Sequence, residues 1–289
     1  MFNCWVLIVT KKNGYRIINV ITNSRKNHDF QIGANINLIV FKSAKIQILK
    51  IRFKNWDFRN VTINKGEKCY FYLKIRNTLG NSISIIVTNA GKKFGREWIF
   101  RNISLEIMSG EKIVILGLNG SGKSTLLQAL TGYLTLNEGE LTYYNNQQKI
   151  EDEHQYNLIS LASPYLELVE DFTLQEQIEH VAIYKPFLNS LATENIIELS
   201  GLAAHKNKFI QLFSSGMKQR LKLTLAILAD APILFLDEPT TNLDATVINW
   251  YKSLIKDYAM HKTIIVCSNS IKDEYGFCER VITMEDYKK

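Results

Sequence analysis

Apolar residues recur in two rhythms along this chain. Ile113-Val114-Ile115-Leu116, Ile233-Leu234-Phe235-Leu236 and the stretch from Thr263 to Cys267 are short and continuous, the pattern of strands buried on both faces. Shorter pieces at Ile83 to Val87, Ile103 to Ile107, Leu141 to Tyr144, Leu158 to Leu161 and near Val281 predict further strands, the first two flanking the polar Lys92-Lys93-Phe94-Gly95-Arg96. Elsewhere the spacing lengthens to that of helices. Thr173 to Tyr184 sets Leu174, Ile178 and Val181 on one face behind Thr173 as N-cap; Thr193 to Leu199 stops at Gly201; Ser215 to Ala229 ends before Pro232; and Ala245 to Tyr258 follows. Strands and helices in alternation predict an α/β fold.

Composition changes at about residue 82. Residues 1–82 are dominated by Asn, Lys, Ile and Phe, and Lys45-Ile46-Gln47-Ile48, Lys50-Ile51-Arg52-Phe53, Asn60 to Ile63 and Tyr70 to Ile75 read as short strands. Two accounts fit this extension: a small β-rich domain, or translated upstream sequence ahead of a start near Ser82, since AT-rich DNA yields such a composition in any frame. Trp56-Asp57-Phe58-Arg59-Asn60-Val61 also resembles Trp98-Ile99-Phe100-Arg101-Asn102-Ile103, a match too short to establish a repeat.

The formal net charge of +7 resides in that extension. Residues 1–82 carry 15 Lys and Arg against 3 Asp and Glu, the remainder 20 against 25, so the remainder suits polyanions poorly and no nucleic-acid partner is expected. Four scattered cysteines, Cys4, Cys69, Cys267 and Cys278, form no C-x-x-C pair and argue for reduced thiols rather than a metal cluster. The longest early apolar run, Cys4 to Val9, is too short to cross a membrane.

Between the run ending at Leu116 and a helical stretch starting near Ser124 stands Gly117-Leu118-Asn119-Gly120-Ser121-Gly122-Lys123-Ser124-Thr125, which fits G-x-x-x-x-G-K-[ST]. Gly117, Gly120 and Gly122 let the backbone curl so that successive N–H groups face phosphate oxygens. Lys123 supplies a point charge for the terminal phosphates, and the Ser124 hydroxyl is a hard oxygen ligand for Mg²⁺. Ile233 to Leu236 runs into Asp237 and Glu238. Asp237 stands where Mg²⁺ needs an anionic partner, and Glu238 where a base could deprotonate an attacking water. Together these predict a P-loop NTPase.

Phe213-Ser214-Ser215-Gly216-Met217-Lys218-Gln219-Arg220 resembles the signature loop of ATP-binding cassette proteins, and Thr240-Thr241-Asn242-Leu243-Asp244 resembles their D-loop. Phe94, 23 residues before Gly117, lies where that family stacks an aromatic on adenine. The resemblance covers residues 83–289. It implies an ABC-type nucleotide-binding domain with a helical subdomain at about 164–230, and a head-to-tail homodimer or heterodimer holding two ATP molecules with Mg²⁺. In that arrangement Ser214, Ser215, Gly216 and Asp244 reach the nucleotide across the interface. It implies also a separate transmembrane permease subunit, with this chain peripheral on the cytoplasmic face of the membrane.

Two positions depart from the family pattern. A glutamine normally follows the strand at Leu158 to Leu161, but this chain has Ala162-Ser163-Pro164, and Gln175 and Gln177 fall too late to replace it. A histidine normally follows the strand at Thr263 to Cys267, where Asn269 stands. Glu238 and Asn269 are therefore the expected catalytic pair, with hydrolysis slow because an amide cannot become a cation. A soluble cassette ATPase and a regulatory ATP binder without turnover are the alternative readings.

Overall fold

The computed structural model describes residues 5–12, 15–22, 70–73 and 82–287. The chain divides into two compact units, Met1–Asn81 and Ser82–Lys289. In the first, β1 (Trp5–Lys12), β2 (Tyr15–Thr22) and β3 (Tyr70–Leu73) form an antiparallel sheet in the order β2-β1-β3. The strands expected at 45–53 and 60–63, and the first copy of the short internal match, lie outside the described residues.

The second unit runs β4 (Ile83–Phe94), β5 (Glu97–Ile107), β6 (Lys112–Leu116), α1 (Lys123–Leu130), β7 (Glu138–Asn145), β8 (Gln148–Ile150), α2 (Asp152–Gln155) and β9 (Ile159–Ala162). It continues through α3 (Leu174–Tyr184), α4 (Thr193–Ser200), α5 (Ser215–Leu228), β10 (Ile233–Asp237), α6 (Ala245–Tyr258), β11 (Thr263–Ser268), α7 (Lys272–Tyr275) and β12 (Arg280–Thr283).

Five strands make a parallel sheet in the order β12-β6-β11-β10-β9. Every residue of β10 and β11 is buried, which explains their unbroken apolar sequence. Alternate side chains feed separate cores. Leu234, Leu236, Ile264 and Val266 pack with Leu221, Leu225 and Leu228 of α5, Ile178 of α3 and Ile196 of α4. Ile233, Phe235, Ile265 and Cys267 pack with Leu126, Leu127 and Leu130 of α1 and with the second sheet.

That second sheet is antiparallel, in the order β5-β4-β7-β8. The strands read at 83–87 and 103–107 turn out longer, meeting at a tight turn through Gly95. The β4–β5 ladder carries register shifts between Val87 and Lys93, and an extra residue at each reverses which face the next side chain takes. Alternation is therefore scrambled between the strand read to Val87 and the polar stretch that starts at Lys92.

Helix boundaries follow local chemistry. Thr173 caps α3, its hydroxyl accepting from Glu176 N (3.3 Å) while the Glu176 carboxylate accepts from Thr173 N (2.8 Å), a reciprocal capping box. Gly201, with φ at 65°, ends α4. The helix read as continuing to Ala229 ends at Leu228, with Ala229 as its C-cap. Lys262 Nζ donates to the carbonyl oxygens of Ile227 (2.8 Å) and Ala229 (2.6 Å), satisfying groups at the end of α5. This lysine is 1% exposed, and burial pushes its pKa down to about 7.

Candidate functional site

The parallel register decides which residues can meet. Leu116 of β6 pairs with Ser268 of β11, and Cys267 of β11 pairs with Asp237 of β10. The segments starting at Gly117, Asn269 and Glu238 consequently leave three adjacent strands at one edge, the carboxyl edge where ligands of open α/β sheets bind.

Gly117 to Gly122 curl between β6 and α1. Gly120 has φ at 76° and Gly122 at 99°, backbone that side chains other than hydrogen rarely adopt. A Cβ at Gly117 would strike the Ser121 hydroxyl, and one at Gly122 would strike Ile99 of β5. Ser121 Oγ is buried and has no hydrogen-bond partner, so a polar atom inside the curl awaits one.

Lys123 is 4% exposed and its ammonium is folded inward. Nζ donates to the carbonyl oxygens of Gly117 (2.9 Å) and Leu118 (3.0 Å) and to Asn269 Oδ1 (2.5 Å). Asn269 Nδ2 in turn donates to Glu238 Oε1 (2.8 Å), so one amide bridges the ammonium to the carboxylate. Glu238 itself is held at a φ of 44°, its N–H bonded to Cys267 O (2.9 Å), a backbone conformation that costs energy and directs the side chain toward Asn269.

Asp237 lies one residue back, 1% exposed. Its two oxygens are shared between hydroxyls: Ser124 Oγ donates to Oδ1 (3.2 Å) and Ser163 Oγ to Oδ2 (3.4 Å). Burial raises its pKa, outweighing the hydroxyl bonds and the nearby Lys123 charge, which lower it. The Ser124 hydroxyl beside the Asp237 carboxylate is a hard-oxygen pair that fits Mg²⁺, which takes few protein ligands and completes its shell with phosphate and water.

The remaining expected residues lie in other groups. Ser214 caps α5, its hydroxyl accepting from Met217 N (3.2 Å), and Ser215 and Gly216 form the first turn. Asp244 caps α6 by accepting from Val247 N (2.9 Å). A Cβ at Gly216 would lie 3.0 Å from Asn242 O, so a bare backbone lets the two cap segments approach. Phe94 ends β4, 52% exposed, with Lys92 Nζ 5.2 Å from its ring. Leu118 and Asn119 are exposed at the tip of the loop, and Thr125 lies in the first turn of α1.

Ser163 appeared in the sequence only as a missing glutamine. The structure puts its hydroxyl on Asp237, while the Ser163 and Pro164 carbonyl oxygens accept from Lys222 Nζ of α5 at 3.4 and 2.9 Å. Gln177 is buried on α3, where its side-chain oxygen accepts from Val169 N (2.9 Å), and Gln175 bonds Glu179 within the same helix. Neither glutamine hydrogen-bonds to Asp237, whose partners are Ser124 and Ser163. No sequence signal marked Ser163, because nothing local in Ala162-Ser163-Pro164 distinguishes it from a turn.

Residues 100–241 match a family model described as ABC transporter. Among curated proteins, the chain is 31% identical over 196 residues to an uncharacterized ABC transporter ATP-binding protein, YdbJ, of Bacillus subtilis (strain 168). That alignment covers 67% of this chain and 64% of the relative, so the chain spans just under two thirds of that relative's length. It is 29% identical over 233 residues to Nod factor export ATP-binding protein I of Sinorhizobium fredii, covering 77% of this chain and 67% of that one. Among solved structures, the ATP-binding cassette MJ0796, dimeric and bound to ADP and Pi in a post-hydrolysis state, superposes with a TM-score of 0.59 at 25% identity. The superposition covers 69% of this chain and 93% of the cassette.

Proposed function

We propose that residues 83–289, which contain the stretch matching the ABC transporter family, form an ABC-type ATP-binding cassette, and that this protein binds and slowly hydrolyses Mg-ATP to drive a separate membrane permease. One observation carries the reading: Lys123, Asn269 and Glu238 form a continuous hydrogen-bonded chain at the sheet edge, beside the Ser124–Asp237 oxygen pair. Each member has a role in phosphoryl transfer to water. The N–H groups of the curl and the Lys123 ammonium, released from the Gly117 and Leu118 carbonyls, grip the triphosphate. Ser124 and Asp237 would hold Mg²⁺, which supplies charge neutralisation to the phosphates. Glu238 orients water and accepts its proton, and Asn269 keeps that carboxylate aimed while donating no charge of its own. A neutral amide in place of a cation weakens stabilisation of the developing negative charge, hence the slow rate.

Phe94 is proposed to stack on the adenine. Ser214, Ser215, Gly216 and Asp244 are proposed to close over the nucleotide of a second cassette, in line with the dimeric neighbour. Among the described residues no helix is long and apolar enough to cross a membrane. The test is turnover and nucleotide binding for wild type, Lys123→Ala and Glu238→Gln. Loss of binding in Lys123→Ala, and loss of turnover with binding kept in Glu238→Gln, support the reading; equal rates in wild type and Glu238→Gln refute Glu238 as base. The bridging of Glu238 by Asn269 also favours a second reading, a regulatory ATP binder, which predicts trapping of intact ATP and no phosphate release.

A further inference from the structure

Behind the bridge from Asn269 to Glu238 lies a carboxylate that the proposed chemistry does not use. Glu274 of α7 is 0% exposed, and among the described residues it makes no ion pair. Its oxygens are met by hydroxyl and amide groups from two separate segments. Oε1 accepts from Thr240 N (3.2 Å) and Thr240 Oγ1 (2.9 Å), and Oε2 accepts from Ser268 Oγ. Ser268 Oγ accepts in turn from Ile271 N (3.2 Å). The Glu274 carbonyl is anchored from below by Tyr251 OH of α6 (2.8 Å).

The positions of these donors matter. Thr240 follows Glu238 by two residues, and Ser268 immediately precedes Asn269. One buried carboxylate thus straps the segment leaving β10 to the segment leaving β11, at the point where each carries a member of the Asn269–Glu238 hydrogen bond. The geometry points to Glu274 as a positioning residue that keeps Glu238 and Asn269 in register. A carboxyl group suits this task, because its two oxygens can serve both segments at once. Removing it leaves the Thr240 N–H buried without a partner, a loss the two segments relieve by moving apart.

The inference rests on the functional reading above for its catalytic consequence, but the strap itself can be tested without turnover. Hydrogen exchange is measured on the nucleotide-free full chain over residues 238–244 and 267–275. Glu274→Ala is expected to speed exchange about tenfold in both segments together, and Glu274→Gln, which keeps an acceptor for Thr240 and can donate to Ser268, to return both to within about threefold of wild type. In ATPase assays Glu274→Ala is expected to lower kcat about tenfold with KM within about threefold, and to add less than about twofold in an Asn269→Ala background. Unchanged exchange over 238–244, or a full additive loss in the Asn269→Ala background, overturns the inference. Should Glu274→Ala fail to fold, Thr240→Val removes one donor only; faster exchange across the strap at 267–275 supports the role and unchanged exchange there overturns it. If wild type shows no turnover, the functional reading fails while the exchange results still decide the strap.

Discussion

Lys262→Met isolates a buried cation whose effect should depend on pH. The native ammonium donates to Ile227 O and Ala229 O in a site that excludes water, and its pKa falls from 10.5 to about 7 because burial opposes the charge. The folded state therefore binds a proton on this group less readily than the unfolded state does. Between about pH 7 and 10.5 the unfolded chain holds more protons, so the contribution of Lys262 to stability rises with pH across that window and is lowest below the folded pKa. At 1.36 kcal/mol per pKa unit, the full excursion is about 5 kcal/mol. Methionine keeps the stem but removes both donors and the titration, so it should cost about 1–3 kcal/mol at pH 10, where the neutral amine still bonds the carbonyls. Near pH 6.5 the cost should shrink or reverse. Urea unfolding of wild type and Lys262→Met from pH 6.5 to 10, compared as a difference at each pH so that the other lysines cancel, reads this directly. A difference that stays flat with pH, or that falls as pH rises, would refute the argument that burial dominates the site.

Further outcomes follow from the other sites. Asn269→His restores a group able to carry positive charge beside Glu238, and turnover should rise by about tenfold or more in a steady-state ATPase assay, with a pH dependence near the histidine pKa that wild type lacks. Gly122→Ala forces a Cβ onto backbone at φ 99° and against Ile99, so calorimetry should show a loss of about 1–3 kcal/mol and titration a loss of nucleotide binding. Thr173→Ala removes one half of the α3 capping box and should lower stability by about 1 kcal/mol in urea titration, with nucleotide affinity unchanged.

The parts of the site that could be read in the sequence are those where backbone geometry dictates residue type. Gly120 and Gly122 are glycines because their φ values require it, and the apolar runs of β10 and β11 are unbroken because both faces are covered. Alternation failed in the β4–β5 hairpin because bulges reset its period, and β8, only three residues long, offered too few positions for any period. Longer-range partnerships left no local trace. Ser163 and Asp237 are 74 residues apart, Thr240 and Glu274 34, and Lys262 and Ile227 35. A lysine immediately before a buried strand reads as turn surface, and only the folded chain reveals the carbonyl pair that accepts from it. Asn269 could be placed by its offset from β11, but its simultaneous bonds to Lys123 and Glu238 depend on three strands ending level.

The division of β10 and β11 between two cores limits how this machinery can change. Inserting one residue inside either strand would send Leu234 or Val266 toward the opposite core and every following side chain with it, so a length change there would unsettle both halves of the unit at once. Adjustment of the chemistry is thereby confined to swaps at fixed addresses, as at positions 163 and 269, and to loops that begin after the strands have ended.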